Sequence, residues 1–305
     1  MMVTSTLVVD RDVVFTGKCQ PGPCKLDRGN AGRHLLINNC GADSCDIAFN
    51  SLQFANGYDI GSGGSVLISS SYEGKVSWID CRFSANTAGN ASVPIGGNGG
   101  AIYTSSSGAS LNFTRTTFES NIAVYHAGVG AGGAIRSSSS SITCTDCVFE
   151  TNEASWGGGL FTYYGAHQFT NTTFKTNGAG AQHGRDVYLY RPASANFHRC
   201  TFQSTGNSQM FIDATSRSTV TFSGQTVMPT SIRENDALYT NLDAASPPPP
   251  PYPPPPVPLP PPPSPPPALP HTCPASATCI GASNGRAVQV ANIKTRVESA
   301  YSISA

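Results

Sequence analysis

Three charged side chains recur at one position of a repeated segment, and they are the residues of this sequence best placed to do chemistry. Asp80, Arg115 and Asp146 each lie three residues before a repeated Phe. If the repeats stack at the spacing of neighbouring β-strands, adjacent members of this column lie about 5 Å apart. Carboxylates in such a column could bind calcium or act as general acids, and the arginine could act as a base or hold a substrate. The pattern therefore allows a lyase or hydrolase that acts on an acidic polysaccharide.

The same column also has a purely structural interpretation. Exposed ion pairs on stacked strands stabilise a fold by only about 0.2–1 kcal/mol each. Sugar-cleaving sites need two carboxylates about 5 to 10 Å apart, and here Arg115 lies between Asp80 and Asp146. We therefore favour a surface charge ladder and keep the enzyme as the alternative.

A second group of charged residues lies in QHGRDVYLY, which contains His183, Arg185 and Asp186. Asp186 is a further catalytic candidate. The alternative is that this segment replaces the glycines that begin a strand elsewhere, with Asp186 accepting hydrogen bonds from backbone amides. No Ser-His-Asp order, phosphate loop or dinucleotide motif is present. Zinc at Cys144 and Cys147 would need a second CxxC or clustered histidines, so we predict no cofactor and no metal.

The repeat that carries these residues is centred on a phenylalanine, with an asparagine three residues later in most copies. Small or apolar residues stand seven, five and two positions before the Phe, which makes two period-2 patterns joined by a one-residue shift. This pattern predicts two short strands that meet at a corner. The repeated residues are Phe54, Phe83, Phe118, Phe149, Phe174 and Phe202, with Asn86, Asn121, Asn152 and Asn177.

Glycines introduce a third strand in most copies, as in GGAIYTS and GGAIRSS. A unit of about 25 to 35 residues with three short strands cannot bury its inward face alone, so successive units must stack. Stacking places the Phe side chains in a core column and lets the Asn amides hydrogen-bond from unit to unit at a corner. We therefore predict an all-β fold, a right-handed single-stranded parallel β-helix of about 7–8 coils over residues 1–230.

The GGAI motifs at Gly99–Ile102 and Gly132–Ile135, together with Phe-x-x-Asn, resemble the repeat of chlamydial polymorphic outer membrane proteins and related right-handed β-helix proteins. The resemblance covers about residues 5 to 225 and implies a pectate-lyase-like solenoid. Later copies depart from the motif as GGGLF and GRDVYL, which suggests that the last coils decay towards a cap. A long outer face of this kind suits weak multivalent contacts better than one deep pocket.

Proline dominates the C-terminal part of the chain. Residues 247–270 hold 18 of the 24 prolines and predict a polyproline II rod of roughly 75 Å at about 3.1 Å per residue. The tract resembles the hydroxyproline-rich modules of green-algal and plant wall glycoproteins, which implies a modified extracellular spacer. A ligand of SH3, WW or profilin-like domains is the alternative. We assign residues 231–246 to a linker and 271–305 to a short tail, either disordered or truncated.

Cysteine spacing favours an oxidising compartment. Three close pairs flank turn-like segments and are disulfide candidates: Cys19 with Cys24, Cys40 with Cys45, and Cys273 with Cys279. Cys81, Cys147 and Cys200 alternate with Thr in the repeat and predict buried free thiols that behave as small hydrophobic side chains. Sequons at Asn90, Asn112 and Asn171 are glycosylation candidates.

Composition restricts the partners. A net charge of zero, with 12 % charged residues, argues against nucleic acid and anionic membranes. No apolar run is long enough to span a bilayer. The start, MMVTSTLVVDRDVVF, is not a signal peptide, so a secreted protein would need a further segment upstream.

Together these patterns predict an extracellular, cell-surface or cell-wall protein with a structural or adhesive role, in contact with polysaccharide or wall matrix. Its oligomeric state is left open.

Overall fold

The computed structural model describes residues 4–19, 22–40, 44–92, 96–124, 130–205, 209–213, 218–224, 226–227, 229, 232–235, 239–241, 279–281 and 287–289. Side chains are described for these ranges up to residue 229, except 179–182. The regular elements in these ranges are all β-strands, numbered β1 to β32 in chain order. The proline tract at 247–270 and Cys273 lie outside the described residues.

Four parallel sheets run along the molecule, and each coil of the chain adds one strand to most of them. Sheet 1 comprises β1 (Leu7–Val9), β4 (Leu35–Ile37), β8 (Val66–Ile68), β12 (Ile102–Thr104), β16 (Ile135–Ser137), β20 (Leu160–Tyr163), β24 (Val187–Tyr190), β27 (Met210–Asp213) and β29 (Ile232–Asn235). Sheet 2 comprises β2 (Val13–Thr16), β5 (Cys45–Asn50), β9 (Glu73–Ile79), β13 (Gly108–Thr114), β17 (Ser141–Thr145), β21 (Ala166–Thr170), β25 (Ser194–His198), β28 (Thr219–Ser223) and β30 (Tyr239–Asn241).

The other two sheets are shorter. Sheet 3 comprises β3 (Cys24–Asp27), β6 (Leu52–Ala55), β10 (Arg82–Ser84), β14 (Thr117–Glu119), β18 (Val148–Glu150), β22 (Thr173–Lys175) and β26 (Thr201–Phe202). Sheet 4 comprises β7 (Tyr58–Asp59), β11 (Thr87–Ala88), β15 (Ile122–Ala123), β19 (Glu153–Trp156) and β23 (Gly178–His183). Two further strands, β31 (Cys279–Gly281) and β32 (Ala287–Gln289), pair with each other in antiparallel orientation.

These sheets confirm the predicted all-β solenoid of stacked parallel strands. Sheet 4 was not predicted: it forms in the segment between the repeated Asn and the glycines, where the sequence has no clear strand pattern. The ladder of sheets 1 and 2 also continues to Asn241, past the boundary that we placed at residue 230, because β29 and β30 pair with the preceding coil.

A single residue in the left-handed conformation forms the corner between sheets 2 and 3. One such residue bends the chain between two extended strands, and this is the one-residue shift of the sequence pattern. We call these residues the corner column: Ser51, Asp80, Arg115, Asp146, Asn171 and Arg199, with φ between 47° and 55°. Asp80, Arg115 and Asp146, the outward column of the sequence analysis, are three of these corner residues.

The glycine that precedes β8, β12, β16, β20 and β24 has a steric cause. Gly132 has φ +67°, and a Cβ there would lie 2.1 Å from the carbonyl oxygen of Ile135. Gly99 is in the same position one coil earlier, with φ +61°. Other residues resist this conformation and would clash with backbone, so the motif keeps glycine.

Aromatic rings fill the interior in two columns. The rings of the repeated Phe residues stack from coil to coil with centroids 4.7 to 5.1 Å apart. A second column on sheet 2 contains Trp78 and Phe113, stacked at 4.8 Å, and Cys144 follows Phe113 in register. The columns meet edge to face, as between Phe113 and Phe118 at 5.2 Å. Aromatic contacts of these geometries add about 0.5–1.5 kcal/mol each beyond burial.

The repeated asparagines form a directional hydrogen-bonded ladder inside the solenoid. The Nδ2 of Asn121 donates to Oδ1 of Asn152 in the next coil (2.9 Å) and to the carbonyl oxygen of Phe83 (3.1 Å). Oδ1 of Asn121 accepts from both the backbone N (3.1 Å) and the Nδ2 (2.8 Å) of Asn86. Each amide therefore satisfies buried groups of the two adjacent coils at once, and the bonds from one Asn side chain to the next all run towards the C-terminal end.

Candidate functional site

Arg115 and Asp80 form a bidentate ion pair on the corner column. Nε of Arg115 donates to Oδ1 of Asp80 at 2.6 Å, and Nη2 donates to Oδ2 at 3.0 Å. The hydrogen bond from Arg115 lowers the pKa of Asp80, and the hydrogen bond to Asp80 raises the pKa of Arg115. About half of each side chain is exposed. The carboxylate of Asp80 is thus already neutralised by its neighbour and held in its charged form.

Asp146 does not share this pair. Its Oδ1 accepts a hydrogen bond from Nδ2 of Asn171 at 2.6 Å, one coil further on. A surface hollow lined by Gly17, Lys18, Ser51 and Asp80, with other residues, lies beside the first disulfide. Among its described lining residues it offers one carboxylate, whereas sugar hydrolysis uses two. This geometry supports the structural interpretation of the charge ladder.

Asp186 ends the asparagine ladder. It is fully buried, and its Oδ1 accepts hydrogen bonds from Nδ2 of Asn177 (2.8 Å) and from Oγ of Ser204 (2.5 Å). Ser204 in turn accepts from the backbone N of Asn177 (2.8 Å). A carboxylate accepts and does not donate, so it terminates a ladder in which each Asn side chain donates to the side chain of the next coil. We expected Asp186 to cap backbone amides, but the groups that it binds are side chains.

His34 occupies the other end of this ladder. The repeat has Gly57 in place of the asparagine there, and His34 lies beside Gly57 and Asn86. Its Nε2 is 2.9 Å from the carbonyl oxygen of Leu26, which corresponds to the bond that Asn86 makes to Phe54 one coil later. Nδ1 of His34 is 3.0 Å from Oγ of Ser65. The imidazole therefore fills the place of the amide beside Gly57, while the donor to Oδ1 of Asn86 is the backbone N of Gly57 at 2.9 Å.

We predict that the protein loses stability on acidification because of its buried histidines. Burial lowers the pKa of His34 and of His167 from 6.5 to about 4. A lowered histidine pKa means that the unfolded chain binds the proton more tightly, so each contribution is complete above pH 6.5 and is lost as the pH falls towards 4, by up to about 3 kcal/mol per histidine. Burial raises the pKa of Asp186 to about 6. The folded protein therefore binds this proton more tightly than the unfolded chain, and protonation of Asp186 adds stability as the pH falls from 6 towards 4.

Urea unfolding at pH 7, 6, 5 and 4 measures this balance. His167 lies between Ile142 and Ala195 in the ladder of sheet 2, and its Nδ1 is buried without a hydrogen-bond partner. His167→Leu is therefore expected to remove about half of the acid loss, whereas Asp186→Asn should make the loss steeper. A stability that is unchanged between pH 6.5 and 4.5 in the natural chain would contradict the assignment.

Two of the candidate disulfides are formed. Cys19 bonds to Cys24 and Cys40 bonds to Cys45, with Cα atoms 5.1 Å and 5.9 Å apart. Both bonds lie in the first coils, before the regular repeat begins. Cys279 is in β31, and its candidate partner Cys273 lies outside the described residues. Disulfides of this kind are typical of oxidising compartments and indicate an extracellular location.

The buried thiols act as hydrogen-bond donors. Sγ of Cys81 contacts the carbonyl oxygen of Phe49 at 3.3 Å, and Sγ of Cys200 contacts that of Phe169 at 3.4 Å. Thr116, in the same column, donates its hydroxyl to the carbonyl oxygen of Trp78 at 3.1 Å. This explains the alternation of Cys and Thr, which we had attributed to apolar packing alone. Burial raises the pKa of Cys81 and Cys200 to about 12, so these thiols are poor nucleophiles.

The three sequons lie on outward positions. Asn171 is exposed on the corner column, although its Nδ2 donates to Asp146. Asn112 is half-buried on the outer side of β13, and Asn90 is half-buried at a turn where its Oδ1 accepts from the backbone N of Ser92 at 2.8 Å. Glycosylation at these positions stays a prediction.

An aromatic surface that the sequence analysis missed lies on the outer side of sheet 1. Its rings stack from coil to coil, with Phe161 and Tyr188 at 4.9 Å, and Tyr163 and Tyr190 at 4.5 Å. Trp156 from β19 stacks over Phe161 at 6.3 Å. We call this surface the aromatic face: Tyr103, Arg136, Trp156, Phe161, Tyr163, Tyr188, Tyr190 and Phe211.

Access differs across the aromatic face. Phe161, Tyr188 and Phe211 are at least 92 % buried in their cluster, with exposures of 4, 8 and 7 %. Tyr103, Arg136, Trp156, Tyr163 and Tyr190 keep intermediate exposure. At the edge, Tyr164 is 43 % exposed and contacts Tyr163 edge to face at 4.3 Å. The face therefore presents ring edges, phenol groups and a guanidinium to solvent.

The signal for this face was present in the third strand of the repeat. In YTS, FTY and VYLY, aromatic residues stand at the positions that alternate with the inward Ile, Leu and Val. Strands that are apolar on both sides are typically covered on both sides. The outward aromatic residues therefore indicate sheet 1, rather than the corner column, as the place for a binding surface.

In the part of the chain that the structure describes, no helix is long and apolar enough to cross a membrane. Within the same residues no cluster of three or more His, Cys, Asp or Glu side chains is placed to hold a metal ion.

Comparison with protein families gives one match, over residues 80–105. This segment begins at the corner residue Asp80, contains Phe83, Asn86 and GGAI, and ends just after β12. It matches the Chlamydia polymorphic membrane protein repeat. The resemblance inferred from GGAI and Phe-x-x-Asn is thereby confirmed for this copy. Neither a curated protein nor a solved structure matches the chain.

The structure gives the matched repeat a physical meaning. Its Phe belongs to the stacked core column, its Asn to the buried ladder, and its second Gly pair to the corner before sheet 1. All three features serve the stacking of coils. In this copy, the residues that carry the match to the polymorphic membrane protein repeat are therefore those that build the solenoid.

Proposed function

We propose that this protein is an extracellular or cell-surface scaffold that adheres to glycans or wall matrix through the outer side of its solenoid. The match to a membrane protein repeat and the two disulfides support a surface or extracellular location. The proline tract at 247–270 would serve as a spacer between the solenoid and its attachment.

The aromatic face carries this proposal. The described interior is filled by stacked rings and a satisfied amide ladder, and the described corner carboxylates are engaged by Arg115 and Asn171. The aromatic face instead keeps Tyr103, Tyr163 and Tyr190 half-accessible. Tyrosines supply a rigid apolar surface with a hydrogen-bonding hydroxyl at low cost in conformational entropy, which suits the alternating C–H and O–H groups of a sugar.

Binding of the full-length chain to immobilised polygalacturonate, alginate, xylan and neutral galactan tests the proposal. We expect binding to at least one of them, with a Tyr163→Ser/Tyr190→Ser variant weakened at least fivefold. The matched control is Asp80→Ala/Asp146→Ala, which alters the corner column and should bind like the natural chain. Binding to none of these polysaccharides and to no wall preparation would overturn the adhesive function.

The same reactions can be assayed for released reducing or unsaturated ends, with calcium present. We expect none, because Asp80 is neutralised by Arg115. Release that disappears in Asp80→Ala/Asp146→Ala would instead make the protein a polysaccharide lyase or hydrolase and the corner column its site.

A further inference from the structure

Arg136 lies at the centre of the aromatic face, and no acidic side chain among the described residues pairs with it. Its guanidinium lies 5.5 Å from the ring centroids of both Tyr103 and Phe161, which flank it in register on β12 and β20. None of the ion pairs among the described residues includes Arg136, and its Nε is buried without a hydrogen-bond partner. Burial lowers the pKa of Arg136, yet an arginine stays protonated in proteins.

The surroundings of Arg136 on sheet 1 differ from those of the basic residues on sheet 3. On sheet 3, Arg82 pairs with Glu119, and Lys175 pairs with Glu150 at 2.8 Å, between neighbouring coils. The fold thus readily places an acid one coil away from a base. On sheet 1, by contrast, the neighbours of Arg136 in register are aromatic on both sides. A partly buried guanidinium charge without a counter-ion is costly, and an anionic ligand that pairs with its exposed edge would offset that cost.

A second arginine lies at the edge of the aromatic face. The guanidinium of Arg191 is 5.1 Å from the ring centroid of Tyr190, and its hydrogen bond to Tyr164 raises the pKa of Arg191. Arg191 follows β24, two strands after the β16 that holds Arg136, so the two cations are offset by about 10 Å along the solenoid axis. The aromatic rings of Phe161, Tyr163 and Tyr190 lie between them.

We infer that the aromatic face binds a carboxylated glycan of the uronate type, with a sugar carboxylate on Arg136, sugar rings against Tyr103, Tyr163 and Tyr190, and a further carboxylate near Arg191. This inference rests on the proposed function and names the ligand class. A guanidinium held by two rings presents its N–H groups in a fixed plane, which matches a planar carboxylate. A neutral glycan could accept hydrogen bonds from that guanidinium but would supply no counter-charge, and a single small anion would not use the rings.

Titration calorimetry of the full-length chain with a hexamer of galacturonic acid tests the inference. The fully methyl-esterified hexamer, which has the same rings without the charges, is the matched ligand control. We expect the esterified hexamer to bind at least tenfold more weakly than the acid, and the affinity for the acid to fall with added salt. This comparison leaves the protein unaltered, so it does not depend on the folding of a variant.

Arg136→Gln should lower the affinity for the acid at least tenfold and leave that for the ester unchanged. The control Arg199→Gln removes an exposed arginine from the corner column and should change neither. Equal affinities for acid and ester, or binding of the acid that Arg136→Gln leaves intact, would overturn the inference while the adhesive function stands. Absence of binding to any glycan would overturn both.

The chain's own proline tract is the competing occupant, because aromatic grooves also bind polyproline II segments. A synthetic peptide of residues 247–270 should fail to displace the acidic hexamer. Displacement by the peptide would assign the aromatic face to the tract and overturn the glycan assignment.

Discussion

Replacement of Asn121 by alanine is expected to lower the free energy of unfolding by about 3–5 kcal/mol, since each buried polar group left without a partner costs about 1–3 kcal/mol. The amide of Asn121 makes four hydrogen bonds in a fully buried position. Without this amide, the backbone N of Asn86 and the carbonyl oxygen of Phe83 lose their hydrogen bonds to residue 121. Urea denaturation at pH 7 measures the change.

Asn112→Ala is the matched control for this prediction. Asn112 lies in the same coil, half-buried on the outer side of β13, with side-chain contacts of 3.4 and 3.5 Å to Ser110 only. Its substitution should change the free energy of unfolding by less than about 0.5 kcal/mol. Similar effects of the two substitutions would show that the buried ladder contributes no more than surface amides.

Phe118→Ala is expected to cost about 3–5 kcal/mol, the usual range for a buried phenylalanine. Phe118 is fully buried and stacks on Phe83 at 5.1 Å and on Phe149 at 4.7 Å, with Phe113 edge to face at 5.2 Å. Stacked strands cannot close around the gap, because their spacing is fixed by hydrogen bonds above and below. Chemical denaturation measures the loss.

Ile122→Ala provides the comparison within the same coil, because Ile122 is 37 % exposed and outside the core columns. A loss of less than about 1 kcal/mol is expected there. A Phe118→Ala variant that unfolds at the same urea concentration as Ile122→Ala would contradict the view that the ring column holds adjacent coils together.

Much of the fold could be predicted from period and spacing. The Phe and Asn recur at fixed offsets, and a short repeat that cannot bury itself must stack, so the parallel solenoid follows from residue types alone. The corner was visible as a one-residue shift, but its left-handed conformation was not, because Asp80, Arg115 and Ser51 share no side-chain chemistry. The conformation is imposed by the strands on either side of the corner.

The candidate site was less predictable. Asp186 lies nine residues after Asn177, just before β24, and the two side chains meet because the chain turns between β23 and β24. The position of Arg136 between Tyr103 and Phe161 likewise depends on the register of three coils. Which side chains of two coils become neighbours depends on the register in which their strands pair. The sequence spacing within one coil does not determine that register when the coils differ in length.

The one-way ladder has a consequence for how such a chain can change its length. Asn121 and Asn152, the second and third members of the series, make the same set of hydrogen bonds, each accepting from one coil and donating to the next. Coils can therefore be duplicated or lost by recombination within the gene without rewriting the residues on either side of the junction. The exception is the C-terminal end, where Asn177 donates to the carboxylate of Asp186, so that this residue has to follow the last asparagine of the ladder.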